Sequence, residues 1–111
     1  MVKYFTNCFL ATKVSFANDM YDICNGLGVD YDKVLEYGLC DNRIGDTHLE
    51  VPGPDGDRGF GGHCFPKDLN AMIRVAEKIG LAPEMLYCVK STNDKVRENR
   101  DWEKQIGRAV I

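Results

Sequence analysis

The sequence predicts a single all-α domain over residues 1–111, one long N-terminal helix and about three shorter helices gathered around a glycine-rich loop. Three observations predict it. Apolar residues recur at steps of three and four through the first 25 residues, glycines and prolines fall where helices should start or stop, and no segment reads as a strand. A chain of 111 residues with 44% hydrophobic and 28% charged residues suits one ordinary globular domain and is too rich in core-forming residues for a disordered chain.

The first helix is expected over residues 2–25. Val2, Phe5, Phe9, Thr12, Phe16, Met20, Ile23 and Leu27 form its apolar stripe, and Gly26 and Gly28 stop it. So broad a stripe is expected to meet more than one neighbour, either an internal core or a partner subunit. Asp30 is placed to cap a second helix over 31–38 that ends at Gly38. Residues 39–63 carry six glycines and two prolines, a long irregular segment of the kind that usually bears function. A third helix is expected over 66–79, with Pro66 at its first position, Leu69, Met72, Ile73 and Ala76 inward and Gly80 as its cap. A fourth is expected from Pro83 to about residue 100, with Met85, Leu86, Val89 and Val96 inward.

The net charge of −3 with interspersed signs offers no basic block for nucleic acid, and no apolar run is long enough to span a bilayer. The opening MVKYFTN lacks a secretory hydrophobic run. Five cysteines, an odd number without a C-x-x-C pair, argue against a disulfide framework and against a structural zinc site, so no metal is expected. Reduced thiols in a cytoplasmic protein follow, with Cys8, Cys24, Cys40 and Cys88 expected as small buried residues.

Cys64 differs. It stands between the glycines of GFGGHCFPKD and the expected third helix, where unpaired N–H groups and the helix dipole favour a thiolate, with His63 and Lys67 as positive neighbours. Gly59, Gly61 and Gly62 let backbone N–H groups approach an oxygen-rich ligand. Asp68, one turn on, faces the same space and can hold a water. Lys3 and Asn7, four apart on the first helix, form an amine–amide pair suited to an oxyanion. Arg43 in DNRIG offers a fork-shaped donor for a sugar hydroxyl or carboxylate. The glycine stretch is not a dinucleotide fingerprint, since Cys64 occupies the third glycine's place and no strand precedes it.

GFGGHCFPKDLNAM resembles the active-site signature of the nucleotide-sugar dehydrogenases, the UDP-glucose and GDP-mannose dehydrogenase family. VKYFTNCFLATKVSFAND is similar to the long helix opening that family's central domain, with its K-x-x-x-N and A-x-K-x-x-x-x-N spacings, and DNRIG resembles a motif of the UDP-glucose branch. The resemblance implies two-step oxidation of the C6 alcohol of UDP-glucose to the carboxylate by NAD, through a thiohemiacetal and a thioester on Cys64. It assigns Lys3 and Asn7 to the oxyanion and water, with Asp68 acting alongside Lys3. Gly59, Phe60, Gly61 and Gly62 would hold the sugar through the loop backbone, Lys67 would lie near NAD, and Arg43 would reach the substrate of the partner in a homodimer built on the long helix. GDP-mannose and a UDP-N-acetylhexosamine are the alternative substrates, and a purely dimerising fragment the alternative role. The resemblance further implies an excised central domain, inactive alone, whose flanking NAD-binding and nucleotide-sugar-binding domains are absent. The family's threonine and glutamates ahead of this domain have no counterpart, and the insertion VPGPDGDR is expected to alter the loop.

Overall fold

The computed structural model describes residues 1–62 and 64–100. Four helices carry all the regular structure of the described residues: α1 (Val2–Leu27), α2 (Tyr31–Gly38), α3 (Cys64–Lys78) and α4 (Glu84–Val96). Among the described residues no helix is long and apolar enough to cross a membrane. α1 is the spine, and each of the other three helices packs against it. It runs through Gly26 and ends at Gly28, whose left-handed φ of 70° lets its N–H close back onto the helix.

The face of α1 that enters the core is not the expected stripe. Cys8, Ala11, Ser15 and Asn18 are buried, while Val2, Phe5, Phe9, Phe16, Ile23 and Leu27 are exposed, Phe5 to 74%. The reason is size. Small side chains let α3 and α4 approach the spine closely, so the Ser15 hydroxyl donates to the Val89 carbonyl and the Cys8 thiol lies 4.0 Å from the Asp68 carbonyl. The aromatic stripe is therefore the outward side of a helix with two apolar faces. Burial pushes the Cys8 thiol up, and the nearby Asp68 charge adds to it, so Cys8 is a protonated core residue.

One core cluster joins Cys8 and Ala11 to Phe60, Leu69, Ile73 and Val89; a second joins Ala17 and Cys24 to Tyr31, Leu49 and Val51. Leu69 and Ile73 face inward on α3 as expected, with Met72 half-buried. On α4 the inward face runs Leu86, Val89, Asn93, with Arg97 just beyond the helix, which leaves Met85 exposed to one side. Two expected core cysteines are also at the surface. Cys88 precedes Val89 and so points about 100° away from it, and Cys40 lies past the end of α2. α3 begins two residues earlier than expected, placing Pro66 third, still within the turn that needs no N–H. α4 stops at Val96 because Arg97 adopts extended backbone. The expected helix to residue 100 is thus shortened, and the tail from Asp101 lies outside the described residues.

α2 has the expected limits. The Asp30 side chain accepts the Asp32 N–H at 3.0 Å, and the buried Tyr31 hydroxyl donates to the Leu49 carbonyl at 2.7 Å, tying the long loop to α2. The segment VPGPDGDR is pinned on both flanks. The Arg58 guanidinium donates to the Asn18 side chain at 2.9 Å, pairs with Asp22 at 3.0 Å and lies over the Tyr21 ring. On the other flank Asp55 accepts from Arg97 at 2.7 Å.

Candidate active site

Three of the expected site residues meet. The first turns of α1 carry Lys3 and Asn7 past the first turns of α3, where Asp68 is only 2% exposed. The Asn7 side-chain amide donates to one Asp68 oxygen at 2.7 Å, and the Lys3 ammonium lies 3.9 Å from the other. The buried carboxylate is thereby held between an amide that donates to it and a largely exposed amine that pairs with it.

Cys64 is the first residue of α3 and is exposed. One helical turn separates it from Asp68, so the two share a face. Its place at the head of the helix sets it beside backbone N–H groups that have no intrahelical acceptor. His63, expected as a positive neighbour of the thiol, lies outside the described residues. Lys67 is exposed in the same turn.

The glycine loop is held from below. Gly59 and Gly62 take left-handed φ of 74° and 80°. Phe60 enters the core, and both its peptide groups are taken up by Asn93: its N–H donates to the Asn93 oxygen at 2.7 Å and its carbonyl accepts from the Asn93 nitrogen at 2.8 Å. Phe60 therefore anchors the loop instead of offering its peptide to a ligand. Beside it opens a cleft of about 680 Å³, walled by Gly59–Gly62, Phe65, His48, Glu50, Asp55 and Arg97. Gly62 and Phe65, on either side of Cys64 in the chain, line this cleft, whereas Cys64, Lys3 and Asp68 do not. His48 holds a left-handed φ of 65° and its ring lies 5.4 Å from that of Phe65.

Arg43 is elsewhere. It clasps Asp41 in a two-pronged pair, with contacts of 2.6 and 2.9 Å, and lines a second, apolar groove of about 520 Å³ between α1 and α2. The Arg43 hydrogen bonds hold the Asp41 carboxyl below its ordinary range. Among the described residues no group of three or more His, Cys, Asp or Glu side chains is placed to hold a metal ion.

Sequence reasoning did not single out Asn93 or Arg97. Their signal was spacing: Val89 and Asn93 stand four apart, which places a polar side chain on the apolar face of α4, and Arg97 repeats the step just past its end.

Residues 1–95 match the family model for the "UDP-glucose/GDP-mannose dehydrogenase family, central domain". The chain belongs to this family. The chain is 42% identical over 97 residues to the UDP-glucose 6-dehydrogenase TuaD of Bacillus subtilis, a match covering 87% of the chain and 20% of that protein. It is 44% identical over 94 residues to the UDP-glucose 6-dehydrogenase AglM of Haloferax volcanii, covering 85% of the chain and 21% of that protein. Among solved structures, a UDP-glucose dehydrogenase from the hyperthermophilic archaeon Pyrobaculum islandicum superposes with a TM-score of 0.77 at 41% identity, covering 85% of this chain and 21% of that one. The chain thus spans about a fifth of the length of the relatives it matches.

Proposed function

We propose that this chain is the central domain of a UDP-glucose 6-dehydrogenase and carries the nucleophile of that reaction on Cys64. The observation that carries the reading is the Lys3–Asn7–Asp68 cluster, built on two helices and one turn from the exposed thiol. UDP-glucose is preferred to GDP-mannose or a UDP-N-acetylhexosamine because the relatives above are named as UDP-glucose enzymes.

In this reading the Cys64 thiolate adds to the C6 aldehyde, and the carbonyl oxygen takes the negative charge. The Lys3 ammonium and the second amide hydrogen of Asn7 stabilise that oxygen, with Asp68 fixing both donors. Once the thioester exists, a water held by the same groups attacks its carbonyl carbon, the C–S bond breaks to regenerate the thiolate, and the carboxylate forms as the two protons of the water pass to solvent. NAD supplies the acceptor for the two hydrides. The described residues do not fit it: the glycine loop follows irregular chain, not a strand, and its third-glycine position is Cys64. Lys67, exposed in the same turn as Cys64, is the residue of this chain that would meet NAD on its approach. Positioning of the nicotinamide is worth effective molarities of about 10⁵ M or more, so the chain alone should not turn over.

The exposed stripe on α1 favours a second role beside the first. The outward residues Phe5, Phe9 and Phe16, continuous with the apolar groove at Arg43, fit a homodimer in which each α1 covers the other and Arg43 reaches the partner's substrate.

The test is iodoacetamide labelling near pH 7, with Cys40 and Cys88 as exposed internal controls. Cys64 should react several-fold faster than either, and UDP-glucose should slow it selectively. A Cys64 that reacts no faster than its two controls removes the nucleophile from the proposal.

A further inference from the structure

The glycine loop that delivers Cys64 is shaped by α4. We infer that Asn93 is a positioning residue for Cys64, fixing the loop through the Phe60 peptide; the inference rests on the reading of Cys64 given above. Asn93 is 3% exposed, and its amide matches the Phe60 peptide donor to acceptor at both ends, 2.7 and 2.8 Å. This is the pairing a neighbouring strand would give, supplied by one side chain. Turning the amide over would oppose two donors and two acceptors, so the orientation is self-selecting.

The neighbouring glycines answer to the same support. A Cβ on Gly59 would stand 2.3 Å from the Asn93 oxygen, and one on Gly61 would stand 2.3 Å from an Arg97 nitrogen. Arg97 is itself locked, donating to Asp55 at 2.7 Å and to the Asn99 carbonyl at 2.8 Å. Two of the three glycines in GFGG are therefore required by the α4 side, whereas a Cβ on Gly62 would meet open space. From Phe60 the constraint continues to Cys64: the Phe60 ring stands edge-on to Phe65 at 6.1 Å, and Phe65 follows Cys64 in the first turn of α3. The Asn93 pair and the Phe60–Phe65 contact thus tie the loop to the head of α3, where Cys64 stands.

The experiment uses the full 111-residue chain and compares Asn93→Ala with Ile73→Val, a change in the same core cluster as Phe60 that leaves every hydrogen bond of the loop in place. Two readouts are taken beside urea unfolding: hydrogen exchange at the Phe60 amide, and the Cys64 alkylation rate divided by that of Cys40. Asn93→Ala should speed exchange at Phe60 at least tenfold and lower the Cys64 ratio at least threefold, while Ile73→Val moves neither. Should Asn93→Ala fail to fold, Gly59→Ala displaces the same amide by collision and should lower the ratio likewise. Its effect should shrink in the Asn93→Ser background, which gives the methyl room. An Asn93→Ala or Gly59→Ala ratio equal to that of Ile73→Val overturns the inference, because Asn93 would then serve stability alone. The functional reading fails separately, by a wild-type Cys64 no faster than Cys40, and exchange at Phe60 still decides whether Asn93 holds the loop.

Discussion

Replacing Asp68 by Asn tests whether this buried acid is there for stability. The change keeps the shape and leaves an oxygen to accept from Asn7, so the 2.7 Å hydrogen bond survives and only the charge is lost. The gross attraction to Lys3 at 3.9 Å would be about 4 kcal/mol at an effective dielectric constant near 20. Lys3 is 65% exposed, however, and pairs with one such partner return about 0–1 kcal/mol once water and salt screen them. Against this stands the relief of no longer burying a carboxylate that is 2% exposed. The two nearly cancel, so Asp68→Asn should change unfolding free energy by less than about 1 kcal/mol in either direction. Asp68→Ala removes the acceptor as well, leaves Asn7 unpaired, and should cost about 1.5–3 kcal/mol. Urea unfolding followed by far-ultraviolet circular dichroism measures both. A loss above about 2 kcal/mol for Asp68→Asn would refute the reasoning, because the charge itself would then be holding α1 to α3.

Acid should loosen the loop before the helices. Asp55 is held below its ordinary range chiefly by its hydrogen bond from Arg97; for Asp57, burial pushes upward but the backbone N–H groups of Asn99, Arg58 and Glu98 and the Arg97 charge outweigh it. Carboxylates depressed in the folded state stabilise fully above the unfolded value of about 3.9 and lose that contribution as pH falls through the folded one. Hydrogen-exchange protection at residues 55–61 should thus fall below about pH 4 ahead of that of α1, and parallel behaviour of the two would count against the brace. Phe16→Glu should abolish self-association in sedimentation with little loss of monomer stability, since Phe16 is exposed; a persisting dimer would dissociate the stripe from assembly. Gly26→Ala, inside α1 with open space around the new methyl, should raise stability by about 0.5–1 kcal/mol in the same urea assay, and a loss there would contradict the space around it.

The parts of the fold legible in the sequence are those written in local chemistry. Asp30 and Gly38 bracket α2 at its observed limits because a cap and a terminator act through bonds only a few residues long. The Lys3–Asn7 pair could be read from spacing, since two side chains four apart on a helix must share a side. What periodicity could not decide was which apolar face of α1 turns inward. Hydrophobicity ranks Phe5 and Phe9 above Cys8 and Ala11, yet close helix packing selects the smaller set. Asn93 and Arg97 escaped for a related reason. Their spacing of four puts them in line with Val89, yet polar side chains there read as solvated until a loop distant in sequence comes to rest on them.

The spine carries two surfaces on one element. Lys3 and Asn7 ride the same rigid rod as Phe5, Phe9 and Phe16. Sliding that rod by a single residue would carry the amine and amide about 1.5 Å past the buried carboxylate. The 2.7 Å contact between Asn7 and Asp68 has little tolerance for such a step. Whatever grips the outer ridge of the spine therefore also sets the alignment of the chemistry on its inner flank, and neither surface can drift in sequence without the other registering it.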